Sequence, residues 1–335
     1  MLRLAVIVIS YNTRDLLRSC LAAVENAAAR GRARMVVDTL VIDNASKDGS
    51  AEMVRNEFPA VRLTALDSNI GFTRGNNLGL AQLGFDPRPR PSSAADSPPE
   101  GTPDYVMLLN PDTEVATDSL VRLVHFMDAT PGAGMCGPQL RYGNGDFQHG
   151  AFRLPGLAQI GLDLFPLTGV PGAHRLHSSN LNGRYSAAQW SSGEPFPVDF
   201  VLGASMMVRG AAIHAIGGLD EGFFMYCEEM DWCLRLREAG WTVYAVPAAR
   251  VTHYEGQSSR QVRWPAFVQL WRSRLRFYGK HAARYPLWYL WLVRGLLRSG
   301  LAWRSRSVRQ RFAAGQIDGA AAGAELTAYR TVREL

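Results

Sequence analysis

The amino-acid sequence predicts an α/β fold, with a mostly parallel, doubly wound sheet flanked by helices. Apolar runs rich in β-branched residues alternate with helical patterns through the first 140 residues, as expected when helices connect parallel strands. Polar loops containing asparagine or glycine follow several of these apolar runs. With 335 residues, the chain is long enough for one large domain and an appendage.

The predicted elements follow one another from the N-terminus. Residues 4–10 form a continuous apolar run, which is typical of a strand buried on both faces. Further strands are predicted at 35–43, 60–66, 104–110, 133–140 and 241–247, and helices at 14–29, 48–58, 74–84, 117–129 and 228–240. Asp48 or Ser50 would cap the second helix, and Gly240 would end the last one.

Stretches without periodicity divide the chain. Residues 86–103 are rich in proline, serine and charge, which predicts a flexible surface loop. Residues 141–200 are largely weakly patterned and rich in glycine and proline. We therefore predict a domain over residues 1–255 that contains both segments, followed by a C-terminal helical extension over residues 256–335.

Positive charge is concentrated near the C-terminus. The formal net charge is +6, and residues 256–317 contain 13 Lys or Arg but no Asp or Glu. Five of the eight tryptophans also lie in this part of the chain, at positions 264, 271, 288, 291 and 303. A basic helix that carries tryptophan and leucine on another face suits an anionic membrane surface. Packing of a C-terminal helix on the domain is the alternative, while nucleic-acid binding would need a recognisable module that the sequence lacks.

Cysteine usage and hydropathy predict a cytoplasmic protein, and the basic, tryptophan-rich tail predicts that it is peripheral on the inner face of the cell membrane. The four cysteines form no C-x-x-C pair, so neither a zinc site nor a disulfide framework is expected, and a reducing compartment fits. The N-terminal apolar run is too short for a secretory signal. No uninterrupted apolar run reaches the length of a transmembrane helix.

Polar loops at strand ends predict a ligand pocket. The sequences "SYNT", "DNASKDGS" and "NPDTE" follow the first, second and fourth strands, and ligands of open α/β sheets bind outside the carboxyl ends of the strands. Asp43 could accept the ring N–H of a uracil or thymine, although a turn that caps a helix is the simpler explanation when the loop is taken alone. The loop around Arg74 could let the backbone approach a phosphate, yet it matches neither the dinucleotide fingerprint nor the phosphate-binding loop of NTPases.

Asp112 and His253 are candidate metal ligands. An apolar strand leads into "NPDTE", and a hard cation bound to two phosphates needs only one or two protein carboxylates. The alternative is a Pro-Asp turn in which Asp112 or Thr113 caps the next helix. His253 follows a predicted strand on a loop and could complete the coordination of a metal.

Three acids at the start of a helix are candidate catalytic residues. Glu228, Glu229 and Asp231 lie among aromatic residues in "FFMYCEEMDWC". Asp231 and Arg235 are four positions apart, which is a favourable helical ion pair. Adjacent glutamates point about 100° apart on a helix, so Glu228 can face inward while Glu229 faces a cleft. A carboxylate whose pKa is raised by apolar walls suits a general base.

Together these segments resemble the inverting glycosyltransferases of family 2, which have the A-type nucleotide-diphospho-sugar-binding fold. The bacterial rhamnosyltransferase-like members are the most similar. The resemblance rests on "VIVISYN" (6–12), "VIDNASKDGS" (41–50), "NIGFTRGNN" (69–77), "LLNPDTEV" (108–115) and "GGLDEGFFMYCEEMDWCLRLREAGW" (217–241). Five such segments in the family's order are highly specific.

The resemblance implies a role for each candidate residue. Donor binding would involve Tyr11, Asn12, Asp43, Asn44, Asn69, Gly71, Phe72, Arg74, Asn76 and Asn110, with Tyr11 and Asp43 at the nucleobase and ribose. Asp112, the last acid of the family's D-x-D motif, would hold Mg²⁺ or Mn²⁺ together with His253, although Asn110 replaces the first acid. Glu229 would be the base, where relatives usually have aspartate, and Glu228 and Asp231 would support it.

The implied reaction is the transfer of a sugar from a nucleoside-diphosphate sugar to a hydroxyl of a glycan or lipid-linked acceptor. Rhamnose from dTDP-rhamnose is favoured, in cell-wall or polysaccharide biosynthesis, with residues 141–200 on the acceptor side. A nucleotidyltransferase acting on sugar phosphates is one alternative, but "SYNTRD" lacks the Gly-rich basic loop usual there. A non-catalytic glycan- or nucleic-acid-binding protein is the other.

Overall fold

The computed structural model describes residues 1–89, 99–165, 176, 179–255 and 263–335. Parts of the predicted loop 86–103, of the region 141–200 and of the extension therefore lie outside the described residues. The chain forms two compact units. The first contains Met1–Arg153, Tyr185–Phe224 and Glu228–Ser258, and the second contains Leu154–Arg184, Met225–Cys227 and Ser259–Leu335.

A mixed, mostly parallel sheet forms the centre of the first unit. The strands are β1 (Leu2–Ser10), β2 (Met35–Asp43), β3 (Arg62–Ala65), β4 (Tyr105–Leu109), β5 (Thr113–Val115), β6 (Ala133–Arg141), β7 (Phe147–Gln148), β8 (Ala151–Phe152), β9 (Phe196–Pro197), β10 (Phe200–Val201), β11 (Ser205–Arg209) and β12 (Thr242–His253). Within the described ranges, the order across the sheet is β3-β2-β1-β4-β11-β6-β12-β5, with β7 beside β6 and β9 beside β12, while β8 and β10 pair separately.

Helices connect and cover these strands. They are α1 (Arg14–Gly31), α2 (Ser50–Glu57), α3 (Phe72–Gln82), α4 (Ser119–Ala129), α5 (Leu157–Leu164), α6 (Ala187–Ser191), α7 (Gly210–Ile216), α8 (Glu228–Glu238), α9 (Arg263–Lys280), α10 (Leu287–Ala313) and α11 (Gly319–Glu334). Of these, α5 and α9–α11 belong to the second unit. The predicted α/β class, with a mostly parallel sheet and C-terminal helices, is confirmed.

The apolar character of the central strands explains their position. Strand β1 is buried from Leu4 onward, and β4 is buried throughout. The apolar side of α1 packs in the same core cluster through residues such as Leu17 and Leu21. Burial of apolar surface lowers the free energy of the folded chain by about 25 cal/mol per Å². These apolar strands therefore occupy the middle of the sheet.

Strand β11 was not predicted from the sequence. It runs antiparallel to both β4 and β6, between the parallel strands β3-β2-β1-β4 and the parallel pair β6-β12. Its sequence, "SMMVR" (205–209), is a short apolar run that carries no information about strand direction. The pairing with β4 and β6 in the folded sheet decides that direction.

Three details of the predicted elements were wrong. His253 is the last residue of β12 rather than a loop residue, because β12 continues through a register irregularity between Val246 and Arg250. Helix α4 begins at Ser119, so neither Asp112 nor Thr113 caps it. The residue that caps α2 is Gly49, in a left-handed conformation, although Asp48 Oδ1 does accept the Ser50 N–H at 3.1 Å.

The second unit is an assembly of helices with its own core. Arg274 of α9 forms a 2.8 Å ion pair with Asp163 of α5 and lies over the buried ring of Trp271. The ring of Trp264 packs edge-on against Tyr329 of α11. None of the helices in the described ranges combines the length and apolar character needed to span a bilayer.

Candidate active site

The carboxyl ends of the first two strands bring two predicted donor loops together. Ser10 and Asp43 are in register at the ends of β1 and β2. The Asn12 N–H donates to Ser46 Oγ at 2.9 Å, and the Lys47 N–H donates to Asn12 Oδ1 at 2.8 Å. Asn12 has φ of +52°, a left-handed conformation that asparagine tolerates better than most residues. Half-buried Tyr11 therefore lies on a loop held to the end of β2.

Asp43 presents a buried acceptor in this loop. Its Oδ2 atom accepts the Ser46 N–H at 3.0 Å. Its Oδ1 atom is buried and accepts no hydrogen bond from the described part of the chain. Buried polar atoms are nearly always satisfied, so Oδ1 is suited to an N–H or O–H group of a ligand.

Asn44 attaches the next predicted donor segment to β2. Its side chain accepts the Ile70 N–H at 3.0 Å and donates to the Gly71 carbonyl at 3.2 Å, while exposed Asn69 accepts the Gly71 N–H at 2.9 Å. Gly71 has φ of +87°, and a Cβ there would lie 2.7 Å from the Phe224 ring. Glycine is required at this position, because the backbone packs directly on an aromatic ring.

The helix that follows carries the remaining residues of this segment. The Phe72 N–H donates to the Phe224 carbonyl at 3.1 Å. Asn76 donates to the Phe72 carbonyl at 3.0 Å, and its buried Oδ1 accepts no hydrogen bond from the residues described. Arg74 is exposed, with Nε 3.4 Å from Glu221 Oε2. A solvent-exposed ion pair of this kind is weak, so the guanidinium can exchange Glu221 for a phosphate.

Asn77 is a structural residue that the sequence analysis did not single out. Its side chain donates to the Leu219 carbonyl at 2.9 Å and accepts the Leu219 N–H at 3.0 Å. These two bonds attach α3 to the loop that precedes the three acids. Its position in the segment "NIGFTRGNN" was the feature of the sequence that could have pointed to it. The sequence does not show, however, which asparagine of that segment contacts which partner.

Strand pairing brings the two candidate metal ligands together. Thr113 of β5 pairs with His253 of β12, and the Tyr254 N–H donates to the Asp112 carbonyl at 2.9 Å. Asp112 Oδ1 lies 3.5 Å from His253 Nε2, and both side chains are buried. Asp112 Oδ1 accepts no hydrogen bond from the described residues.

These contacts fit a cation that is also bound by phosphates. A buried carboxylate oxygen without a hydrogen bond and an imidazole nitrogen converge on one place, and both are ligands of Mg²⁺ or Mn²⁺. No cluster of three or more metal-binding side chains occurs among the described residues. Neighbouring Glu114 accepts the Tyr254 hydroxyl at 3.1 Å.

The acid pair lies beside the same strand ends. Glu228 is buried, with 4% of its surface exposed, whereas Glu229 is half-buried. Gly203 lies next to Glu229, since a Cβ added to Gly203 would be 4.0 Å from Glu229 Cβ. The carbonyl of the following residue, Ala204, accepts the Asn110 N–H at 2.9 Å. Glu229 is thus connected through this short loop to Asn110, two residues before Asp112.

Asp231 holds the helix that carries the acids. It is fully buried and pairs with Arg235 at 2.8 Å. Arg235 also donates to the carbonyls of Ile216 and Gly218 at 3.0 and 2.6 Å. The Trp232 indole donates to the Gly217 carbonyl at 2.9 Å. These contacts fix the start of α8 against the preceding loop, so Asp231 acts on the site by anchoring.

Burial raises the pKa of Glu228 well above its ordinary value of 4.5, and the neighbouring charges of Glu229 and Asp231 add to this effect. Oε2 of Glu228 is buried and accepts no hydrogen bond from the described residues. Two adjacent carboxylates in an apolar environment cannot both ionise cheaply. Burial therefore favours the protonated form of Glu228.

The buried proton of Glu228 predicts a pH-dependent stability. The pKa of Glu228 is raised in the folded state, so its protonated carboxyl contributes its full stabilisation below about pH 4.5. This stabilisation is lost as the pH rises through the folded-state pKa, at no more than about 1.4 kcal/mol per pH unit. We expect Glu228→Gln to raise the melting temperature near pH 8 and not below pH 4.5. Thermal unfolding across this pH range measures the melting temperatures. The control is Glu238→Gln, which changes an exposed glutamate on the same helix. Equal melting temperatures for wild type and Glu228→Gln near pH 8 would contradict it.

Comparison with known proteins identifies the family. The profile of glycosyltransferase-like family 2 matches residues 3–276. The chain belongs to this family. It is 30% identical over 307 residues to the N-acetylglucosaminyl-diphospho-decaprenol L-rhamnosyltransferase of Mycobacterium tuberculosis. The matched region covers 90% of this chain and 91% of that protein. It is 26% identical over 210 residues to rhamnosyltransferase WbbL of Escherichia coli, covering 63% and 70% respectively.

The prediction of a family 2 glycosyltransferase with rhamnosyltransferase-like relatives is therefore confirmed. Solved structures support the fold. The mannosyltransferase PcManGT from Pyrobaculum calidifontis, in complex with GDP-Man and Mn²⁺, matches with a TM-score of 0.54 at 14% identity, over 99% of this chain and 87% of that one. GalNAc-T7 with UDP, GalNAc and Mn²⁺ matches with a TM-score of 0.50 at 15% identity, over 76% and 44%. The predicted A-type glycosyltransferase fold is confirmed.

Proposed function

We propose that this glycosyltransferase moves rhamnose from dTDP-rhamnose to a hydroxyl of a lipid-linked saccharide, with inversion at the anomeric carbon. The observation that carries the proposal is the 30% identity, over 90% of the chain, to a rhamnosyltransferase whose name specifies a diphospho-decaprenol-linked acceptor. A membrane-bound acceptor of that class also suits the basic C-terminal helices.

The loops at the ends of β1 and β2 support donor binding. Asp43 Oδ1 is a buried acceptor without a partner among the described residues, and it would take the ring N–H of thymine or a ribose hydroxyl. Tyr11 lies on the adjoining loop. Arg74 and the backbone around Gly71 would receive the diphosphate, because a guanidinium pairs well with phosphate oxygens.

Asp112 and His253 would hold the divalent cation, with Asn110 nearby. When bound, such a cation neutralises the negative charge that develops on the departing nucleoside diphosphate. Asn110 is neutral where relatives with a D-x-D motif have an acid, so Asp112 supplies the carboxylate charge at this position.

Glu229 would act as the general base. It accepts the proton of the acceptor hydroxyl while that oxygen attacks the anomeric carbon and the bond to the diphosphate breaks. The reaction is a single displacement, so the configuration at the anomeric carbon inverts. Protonated Glu228 excludes a second negative charge, and Asp231 keeps the helix in place through Arg235.

Release of nucleoside diphosphate from a panel of nucleotide sugars, with and without EDTA, tests the function. We expect dTDP from dTDP-rhamnose in the presence of a polyprenyl-diphosphate-linked N-acetylglucosamine acceptor, and loss of release on chelation. Release from a different donor would overturn the choice of rhamnose. Formation of pyrophosphate instead would indicate a nucleotidyltransferase.

We further propose that α10 is the membrane-facing surface. Its N-terminal end exposes Leu287, Trp288 and Trp291, at 81%, 61% and 74% of their surface. Exposed arginines flank them at 284 and 298, and the sequence from 256 to 317 has no acid. In contrast, Trp271 is buried in the core of its unit. Apolar side chains beside uncompensated positive charge suit an anionic bilayer.

Replacing the two exposed tryptophans should weaken vesicle binding. We expect Trp288→Ala/Trp291→Ala to lower partitioning onto anionic vesicles by at least about tenfold, since burying each large apolar side chain is worth roughly 1.5–3 kcal/mol. Co-sedimentation at moderate salt measures this. Phe312→Ala, exposed at the other end of α10, is the matched control. If the double variant binds as the wild type does, the surface lies elsewhere.

A further inference from the structure

Gln148 lies behind the candidate metal ligands and belongs to none of the family-like segments. It is buried on β7, and its Oε1 lies 3.1 Å from Nδ1 of His253. The other ring nitrogen, Nε2, lies 3.5 Å from Asp112 Oδ1. The three side chains thus form a buried row in the order Gln148, His253, Asp112.

We propose that Gln148 is a positioning residue for the cation site. Its Oε1 accepts the Nδ1–H of His253, which keeps Nε2 unprotonated and directs its lone pair to the place that Asp112 Oδ1 also faces. This inference rests on the proposed metal site. A histidine ligand usually donates its second ring N–H to a neighbouring oxygen, and that bond sets both the tautomer and the ring orientation.

In the opposite arrangement a proton would face Asp112 at a distance that is too long for a good hydrogen bond. If the Gln148 amide donated to Nδ1, the proton would reside on Nε2 and would have to serve Asp112 Oδ1. That pair is 3.5 Å apart, and Asp112 Oδ1 accepts no hydrogen bond from the described residues. With Gln148 as acceptor, a carboxylate oxygen and an imidazole lone pair face one buried place with no proton between them. Such an arrangement is unfavourable unless a cation joins it.

The hairpin around Gln148 is suited to hold it. Strand β7 pairs antiparallel with β6, with Gln148 opposite Leu140. Strand β6 in turn pairs with β12, with Leu140 opposite Val251, two residues before His253. The adjacent ring of Phe147 packs on Trp190, with centroids 5.4 Å apart. A residue on a paired and packed strand keeps its side chain in one orientation, as a positioning role requires.

Mn²⁺ binding separates this role from a structural one. The dissociation constant of Mn²⁺ is measured by titration calorimetry, with and without dTDP, for wild type, Gln148→Leu and Gln148→Glu. The matched control is Gln139→Leu, which removes another buried glutamine amide, on β6. We expect Gln148→Leu to weaken Mn²⁺ binding by ~10- to 100-fold, Gln148→Glu to restore it because a carboxylate also accepts the Nδ1–H, and Gln139→Leu to leave it unchanged.

Each contrary result has its own meaning. Mn²⁺ affinity in Gln148→Leu equal to that of the wild type would overturn the proposal. Equal losses in Gln148→Leu and Gln148→Glu would show that the amide donates, which also overturns it. Equal losses of Mn²⁺ affinity in Gln148→Leu and Gln139→Leu, with equal falls in melting temperature, would show that the loss comes from general disruption of packing and would overturn the positioning role. If the wild type binds no Mn²⁺ yet transfers sugar, the metal site and this role both fail while the proposed transfer stands.

Discussion

Glu229→Gln is expected to lower kcat for sugar transfer by roughly 10²- to 10⁴-fold, the usual contribution of a general base. Glutamine has the same shape but cannot take the proton of the acceptor hydroxyl. Donor binding should be retained, because Asp43, Gly71 and Arg74 belong to other loops. Steady-state release of nucleoside diphosphate gives kcat, and titration with dTDP gives the donor-side affinity.

The control for this change lies on the same helix. Glu238→Gln removes an exposed carboxylate at the end of α8 and should leave kcat unchanged. Transfer by Glu229→Gln at the wild-type rate would remove Glu229 from the role of base. A fall in dTDP affinity as large as the fall in kcat would instead indicate a disturbed donor site.

Asp112→Asn is expected to lower kcat/KM by roughly 10²-fold or more, since electrostatic stabilisation by a metal site amounts to several kcal/mol. The substitution preserves the side-chain shape and the Tyr254 bond to the Asp112 carbonyl, and it removes the only carboxylate charge of the Asn110-Pro111-Asp112 segment. Mn²⁺ affinity should fall in parallel. Rates measured across a Mn²⁺ titration test both expectations.

Asp118→Asn is the matched control. Asp118 lies six residues after Asp112, is half-buried, and pairs with Arg122 on the first turns of α4. It should behave as the wild type. If Asp112→Asn keeps both its rate and its Mn²⁺ affinity, the buried pair of Asp112 and His253 is structural and the cation, if any, binds elsewhere.

The sequence by itself determined the fold class, the order of most elements and the candidate residues of the site. Apolar runs such as residues 4–10 and the helices between them are local patterns, and local patterns can be read from spacing alone. Strand ends at Ser10, Asp43 and Leu109 were therefore located to within one residue. The acid-rich helix start at Glu228 was equally visible.

Tertiary structure alone decided what each candidate contacts. The direction of β11, the extension of β12 to His253 and the pairing of Asp112 with His253 depend on residues that are far apart in the sequence, and their geometry is set by strand register. Gln148 lies in a weakly patterned segment, so nothing in its neighbourhood predicted a bond to His253. Glu228 and Glu229 are chemically identical and adjacent, yet one is buried and the other half-buried. That difference comes from the loops packed around α8, because burial is a property of the folded surroundings and not of the residue.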